Sequence, residues 1–190
     1  MGGHRHGGCL SRDTWESDDG RMLDVEHIIG WIETLPERRI DGVTISGGEP
    51  FDQPAALAVL LRALRGWADR LPQETDLLCY SGYPLRQLER EHRALLDGLD
   101  AIIAEPFRRT QPTELIWRGS ANQRLVALSE LGRHRYAPYQ DLRPARAPMQ
   151  VTVGEQIAYI GVPRIGDLDR LTALAKVRGV RHEGVSWQAQ

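Results

Sequence analysis

Ile40-Asp-Gly-Val-Thr-Ile-Ser-Gly-Gly-Glu-Pro50 sets a short β-branched run directly against two adjacent glycines, a glutamate and a proline. The run predicts a strand over 40–46, since branched side chains suit a pleated, half-buried surface. Gly47 and Gly48 carry no Cβ, so peptide groups just beyond the strand can approach an amino-acid-like ligand closely. Glu49 then offers a carboxylate to the ligand's ammonium, with Pro50 fixing the chain behind it. The same residues also suit a plain strand-to-helix turn, with Asp52 as N-cap and Pro54 in the first helical turn. Both readings stay open at this point.

On either side, short β-branched runs alternate with helical patterns, as in βαβ units around a parallel sheet. Leu23, His27, Ile28, Trp31, Ile32 and Leu35 share one helical face over 23–35, and Pro36 ends it. The strongest helix is expected over 54–71, apolar at Leu57, Leu60, Leu61, Leu64 and Trp67. A second strand is expected over 77–81, then the turn Gly82-Tyr83-Pro84, a charged helix over 85–96, and a third strand over 101–104. Ligands in such sheets bind at the carboxyl ends of the strands. Residues 1–135 read as this main unit and 136–148, rich in proline and arginine, as a linker or surface loop. Residues 149–190 read as an appendage on the same domain: a hairpin turning at Gly154-Glu155, then a helix over 167–177 closed by Gly179.

With 41% apolar and 26% charged residues, the 190-residue chain can bury one sizeable core, and too little remains for a second full domain. A net charge of −2, without a basic block or an aromatic-interleaved basic patch, argues against a nucleic-acid partner. No apolar run approaches membrane-spanning length and no signal-peptide core follows Met1, so a cytoplasmic protein is expected. Two cysteines, Cys9 and Cys79, exclude a disulfide scaffold. Cys79, between Leu78 and Tyr80, reads as a buried core residue. Asp18-Asp19-Gly20 is a turn signal, since two adjacent carboxylates lack the spacing of a calcium loop.

Four motifs stand in order along the chain: Cys9-Leu-Ser-Arg-Asp-Thr-Trp15, Thr44-Ile-Ser-Gly-Gly-Glu-Pro-Phe51, Tyr80-Ser-Gly-Tyr83 and Arg118-Gly-Ser-Ala-Asn-Gln-Arg124. In order and spacing they resemble the radical S-adenosylmethionine (4Fe-4S single-cluster) family, and within it the group of anaerobic ribonucleotide reductase activating enzymes. The resemblance covers most of residues 9–130. It implies an α/β fold, a partial (β/α) barrel with a mostly parallel sheet. It also implies an enzyme that reductively cleaves S-adenosylmethionine at a [4Fe-4S] cluster. The resulting 5′-deoxyadenosyl radical abstracts hydrogen from a glycyl-radical protein or other substrate, with electrons from a flavodoxin- or ferredoxin-like donor. Carried over by position, Gly47, Gly48, Glu49 and Pro50 would hold the methionine end, with Ser81 at the same sheet end. Ser120 and Asn122 would meet the cofactor through a turn whose backbone amides face it; the alternative is a helix start with Ser120 as N-cap before Leu125 and Val126. Tyr83 either packs beside Pro84 or touches the ligand, and Trp15 either walls off the cluster or closes a capping turn.

The family holds its cluster through Cys-x3-Cys-x2-Cys. With Cys9 as the third ligand, the other two positions hold Gly2 and His6. His6 keeps the x2 spacing and imidazole replaces thiolate in some iron–sulfur centres; Gly2 offers no ligand, and His4 is a conceivable substitute. The family's first strand also lacks a counterpart ahead of this loop. Either the start is misplaced or truncated, or the chain is a degenerate, cluster-free paralogue acting as an S-adenosylmethionine-binding or adaptor protein. Where the activators read Val-Asp-Gly, this chain has Ile103-Ala104-Glu105.

Overall fold

The computed structural model describes residues 22–35, 40–143, 149–153, 157–161 and 166–179. The Cys9 loop with His4 and His6, Trp15, Asp18-Asp19-Gly20, Pro36, residues 144–148 and the Gly154-Glu155 turn lie outside the described residues.

A four-stranded sheet organises the described chain in the order β1 (Gly42–Ile45), β2 (Asp76–Tyr80), β3 (Ala101–Ala104) and β4 (Arg124–Ala127). The first three strands run parallel, with Val43 opposite Leu77 and Cys79 opposite Ile102, and β4 closes the sheet antiparallel to β3. Strand alternation splits the side chains between two faces. Leu77, Cys79, Ile102 and Ala104 face helices α2 (Pro54–Ala68), α3 (Leu85–Glu91) and α4 (Arg93–Leu96), where Leu57, Leu61, Leu64, Leu88 and Leu96 complete the main core. Leu78, Ile103 and Leu125 point the other way, toward Tyr136, Tyr80 and Tyr139. The fold class is therefore α/β with a mixed sheet.

α1 (Val25–Glu33) buries no residue and leaves Trp31 63% exposed, although Ile29 and Ile32 pack on the core edge. α2 begins with Pro54 at its first position and buries one stripe. Its N-cap is Gln53, without a side-chain bond; Asp52, expected in that role, accepts the Tyr83 hydroxyl instead.

The helix expected over 85–96 is broken at His92 (φ −132°), which turns Leu88 and Leu96 into one core. The helix start considered at Ser120 is not formed: Leu125 and Val126 belong to β4, and Ser120 sits in the loop before it. Nor does a linker begin at Tyr136. That residue ends α5 (Glu130–Tyr136), is 7% exposed, and runs into a 3-10 turn over Ala137–Tyr139. Further on, β5 (Met149–Val153) and β6 (Ile157–Gly161) pair antiparallel, followed by α6 (Asp167–Val177), as expected.

Asp100 ties three elements to the sheet. Its carboxylate accepts the Leu77 amide at 2.8 Å, the Arg65 guanidinium at 2.7 Å and the Ser129 hydroxyl, while its carbonyl accepts Leu128 N–H at 2.8 Å. At 3% exposure, those partners are what make the burial of this charge tolerable. Gly132 of α5 lies so close that a Cβ there would stand 1.9 Å from the Asp100 carbonyl oxygen.

Candidate functional site

The loops after β1, β2 and β3 meet at one end of the sheet. There Ser46, Gly47, Gly48, Tyr80, Ser81, Gly82, Phe107 and Gln123 line a cavity of about 120 Å³. Gly47 (φ +89°) and Gly48 (φ +51°) both adopt left-handed conformations, which tight turns reserve for glycine. A Cβ on either would meet no atom within 4 Å. The peptide edges are therefore open to a ligand.

Glu49 shapes this cleft. Its Oε1 accepts the Phe51 amide at 3.1 Å and the Ser81 hydroxyl at 2.9 Å, and its Oε2 accepts the Gly82 amide at 2.7 Å. A carboxylate has about four lone-pair directions, so these three bonds leave room for one ammonium N–H. Glu49 thus holds the β2 loop over the glycines before any ligand arrives. Pro50 opens the 3-10 turn over Pro50–Asp52 for which Glu49 is the N-cap.

Ser81 is 4% exposed and relays the arrangement, accepting Tyr83 N–H at 3.1 Å. Tyr83 packs at the core edge, and its hydroxyl donates to Asp52 at 2.5 Å. That bond, then burial and the charges of Asp52, Glu49 and Glu91, push the phenol up to about 12.

The segment after β3 builds the opposite wall. Glu105 has φ +88°, unusual for a residue with a side chain. Its carboxylate accepts Leu85 N–H at 3.2 Å, and its own amide donates to the Tyr83 carbonyl at 3.0 Å. Gln123 Oε1 accepts both the Gly119 amide (2.8 Å) and the Ser120 amide (3.2 Å), while its Nε2 donates to the Glu105 carbonyl. The expectation that these two amides face a cofactor is therefore corrected: Gln123 occupies them. Ser120 is fully buried, its hydroxyl accepting Arg108 N–H at 3.0 Å. Asn122 donates to the Pro106 carbonyl at 2.8 Å, and its Oδ1 is buried without a partner.

Of the residues expected at the site, the fold brings Gly47, Gly48 and Ser81 into the cavity lining, with Glu49 braced behind them. Ser120 and Asn122 belong to the supporting wall. Phe107 and Gln123 line the cavity without having been singled out, though Gln123 stands inside the Arg118–Arg124 motif. Cys79 is fully buried and its thiol is pushed up to about 12, by burial first and by the Glu49 charge second. It is an inert core thiol, not a ligand. Among the described residues no group of three His, Cys, Asp or Glu is placed to hold a metal ion, and no helix is long and apolar enough to cross a membrane.

The family described as 4Fe-4S single cluster domain matches residues 3–126. The anaerobic ribonucleoside-triphosphate reductase-activating protein of Haemophilus influenzae is 32% identical over 123 residues, covering 63% of this chain and 78% of that protein. The protein so named from Enterobacteria phage T4 is 28% identical over 122 residues, 64% of this chain and 76% of that protein. The one from Escherichia coli K12 is 27% identical over 123 residues, 63% and 79% respectively. No solved structure matches the chain.

Proposed function

The chain belongs to the 4Fe-4S single cluster domain family, and on that premise we propose that it is an activating protein for a glycyl-radical partner that binds S-adenosylmethionine at the carboxyl ends of β1 and β2. The observation that carries this reading is the Gly47-Gly48 cradle, open to a ligand and braced by Glu49 against Ser81 and Gly82. The cradle suits the amino-acid end of the ligand: peptide groups for its carboxylate and the remaining Glu49 lone pair for its ammonium. Phe107 and Tyr80 supply apolar walls, and the orphaned Asn122 Oδ1 adds an acceptor in the adjoining loop. The relatives' names supply the partner type, an anaerobic ribonucleotide reductase. The reading includes a cytoplasmic setting and a flavodoxin- or ferredoxin-like electron donor. It also includes a partial (β/α) barrel with a mostly parallel sheet, with β5, β6 and α6 as an appendage.

The chain's own donors do not fit a cluster held by three thiolates. Cys9 stands at the third ligand position, Gly2 and His6 fill the other two, and the remaining cysteine, Cys79, is sealed in the core. Each protein-bound iron of such a cluster needs a soft anionic ligand. The residues present therefore support no radical step. This donor set favours a second reading, a cluster-free S-adenosylmethionine-binding or adaptor protein on the same fold.

Anaerobic reconstitution with iron and sulfide, iron counting, electron paramagnetic resonance and calorimetry with S-adenosylmethionine separate the two. A full cluster per chain with a reduced-state signal supports the activator. Substoichiometric iron with retained S-adenosylmethionine binding supports the adaptor, and failure to bind S-adenosylmethionine in either preparation overturns both.

A further inference from the structure

At the opposite end of the sheet, where β1 and β2 begin, a second cavity of about 550 Å³ opens, within the range of small-molecule sites. It is built differently from the first. Trp117, Tyr136 and Tyr139 supply an aromatic wall, and Asp41, Glu74 and Asp76 supply carboxylates. The Trp117 ring meets Tyr136 edge-on at 5.6 Å and Tyr139 at 4.7 Å, yet the residue stays 39% exposed. Its backbone is left-handed at φ +64°, and its carbonyl accepts the Tyr80 hydroxyl at 2.8 Å, which anchors the loop across the sheet.

Arg135, the guanidinium lining this cavity, is already engaged. It donates to Asp76 Oδ2 at 2.6 Å and to the carbonyls of Asp41 and Glu74, while Asp76 Oδ1 accepts the Tyr136 hydroxyl. Asp76 is thereby neutralised inside the wall. With Asp76 paired to Arg135, the lining also holds Asp41, His134 and Glu74, and Glu74, exposed at the rim, is the carboxylate that meets an incoming ligand.

We propose that this cavity is a binding site for a small organic cation, a guanidinium or ammonium group on a short apolar body. Tryptophan gives the strongest cation–π face, and a carboxylate beside it supplies the counter-charge a desolvated cation needs. A neutral ligand of the same shape gains neither. The site lies at the other end of the sheet from the carboxyl-end cleft, and no residue lines both.

The test titrates the full chain with agmatine, and with N-butylurea as a neutral body of similar size. Calorimetry reads affinity, and the Trp117 indole N–H resonance, assigned through Trp117→Phe, reads location. Agmatine should saturate and shift that resonance, while butylurea should not. Glu74→Gln should weaken agmatine several-fold, and Trp117→Leu by roughly tenfold. Trp117→Phe keeps a ring face and most of the affinity, which separates lost binding from lost folding. Absence of saturation, equal binding of butylurea, or affinity unchanged in both Glu74→Gln and Trp117→Leu overturns the proposal.

Discussion

At the scale of single residues, Gly48 and Glu49 do different work although they are neighbours. Gly48→Ala places a methyl group in open space at φ +51°. The fold should lose only about 1 kcal/mol, a few degrees of melting temperature in a chain of this length. The methyl group stands where a ligand would meet the backbone, so S-adenosylmethionine affinity should fall at least about tenfold, measured by calorimetry. Glu49→Gln should instead cost stability itself, about 1–3 kcal/mol by urea titration. Either orientation of the amide sets an N–H against a backbone donor, at Gly82 or at Phe51. Cys79 gives a pH-dependent prediction. Its folded-state pKa of about 12 lies above the ordinary thiol value of 9.0. The unfolded chain therefore releases this proton first, and the stability tied to the neutral thiol, full below pH 9, is lost as pH rises toward 12. Cys79→Ala removes the effect, so the stability gap between wild type and variant should shrink by about 1 kcal/mol from pH 7 to pH 10. A constant gap would show that burial does not hold this thiol neutral.

At the scale of elements, the docking of α5 carries the sharpest contrast. Gly132→Ala drives a methyl carbon into the Asp100 carbonyl, where the neighbour is backbone and cannot swing away. A loss of at least about 3 kcal/mol, or of cooperative unfolding altogether, is expected. Gly66→Ala in α2, with nothing within 4 Å, should stabilise by roughly 0.5–1 kcal/mol. Elements like α2 were legible in the sequence, because Leu57, Leu61, Leu64 and Trp67 repeat at helical spacing over about three turns. The parallel strands were legible too: each is a β-branched or apolar run between turn signals. β4 and α5 were not. Arg124–Ala127 is four residues long, too short for any period, and α5 is two turns held by the Ser129 cap and the Asp100 contact. The site divided the same way. Gly47, Gly48 and Ser81 were legible because a tight turn at a strand end forces their placement. That Gln123 takes the amides of Gly119 and Ser120 depends on how the loop folds back from β4, which no spacing in the sequence encodes.

At the scale of the whole molecule, two inventories disagree: a cradle that the proposed function gives to S-adenosylmethionine, and a donor set short of two thiolates. The described fold limits how the shortage can be made good. Cys79 sits under α2 and α3 on the helix-covered face, fully buried, and could reach a cluster only if the core opened. Cluster competence in this chain therefore turns on positions 2 and 6, where the family spacing asks for thiolates and the chain has Gly2 and His6. The joint substitution Gly2→Cys with His6→Cys should raise cluster uptake from less than one per chain to a full complement of four irons and four sulfides. Iron and sulfide counts, together with the paramagnetic resonance of the reduced protein, read the outcome. Because the cradle is built from residues that neither substitution alters, S-adenosylmethionine should bind both proteins, and it should perturb the resonance of the substituted one. Equal iron in the two proteins would mean that the missing thiolates are not what separates this chain from its relatives. A full cluster in the unsubstituted chain would assign His6 and a further group as ligands in their place.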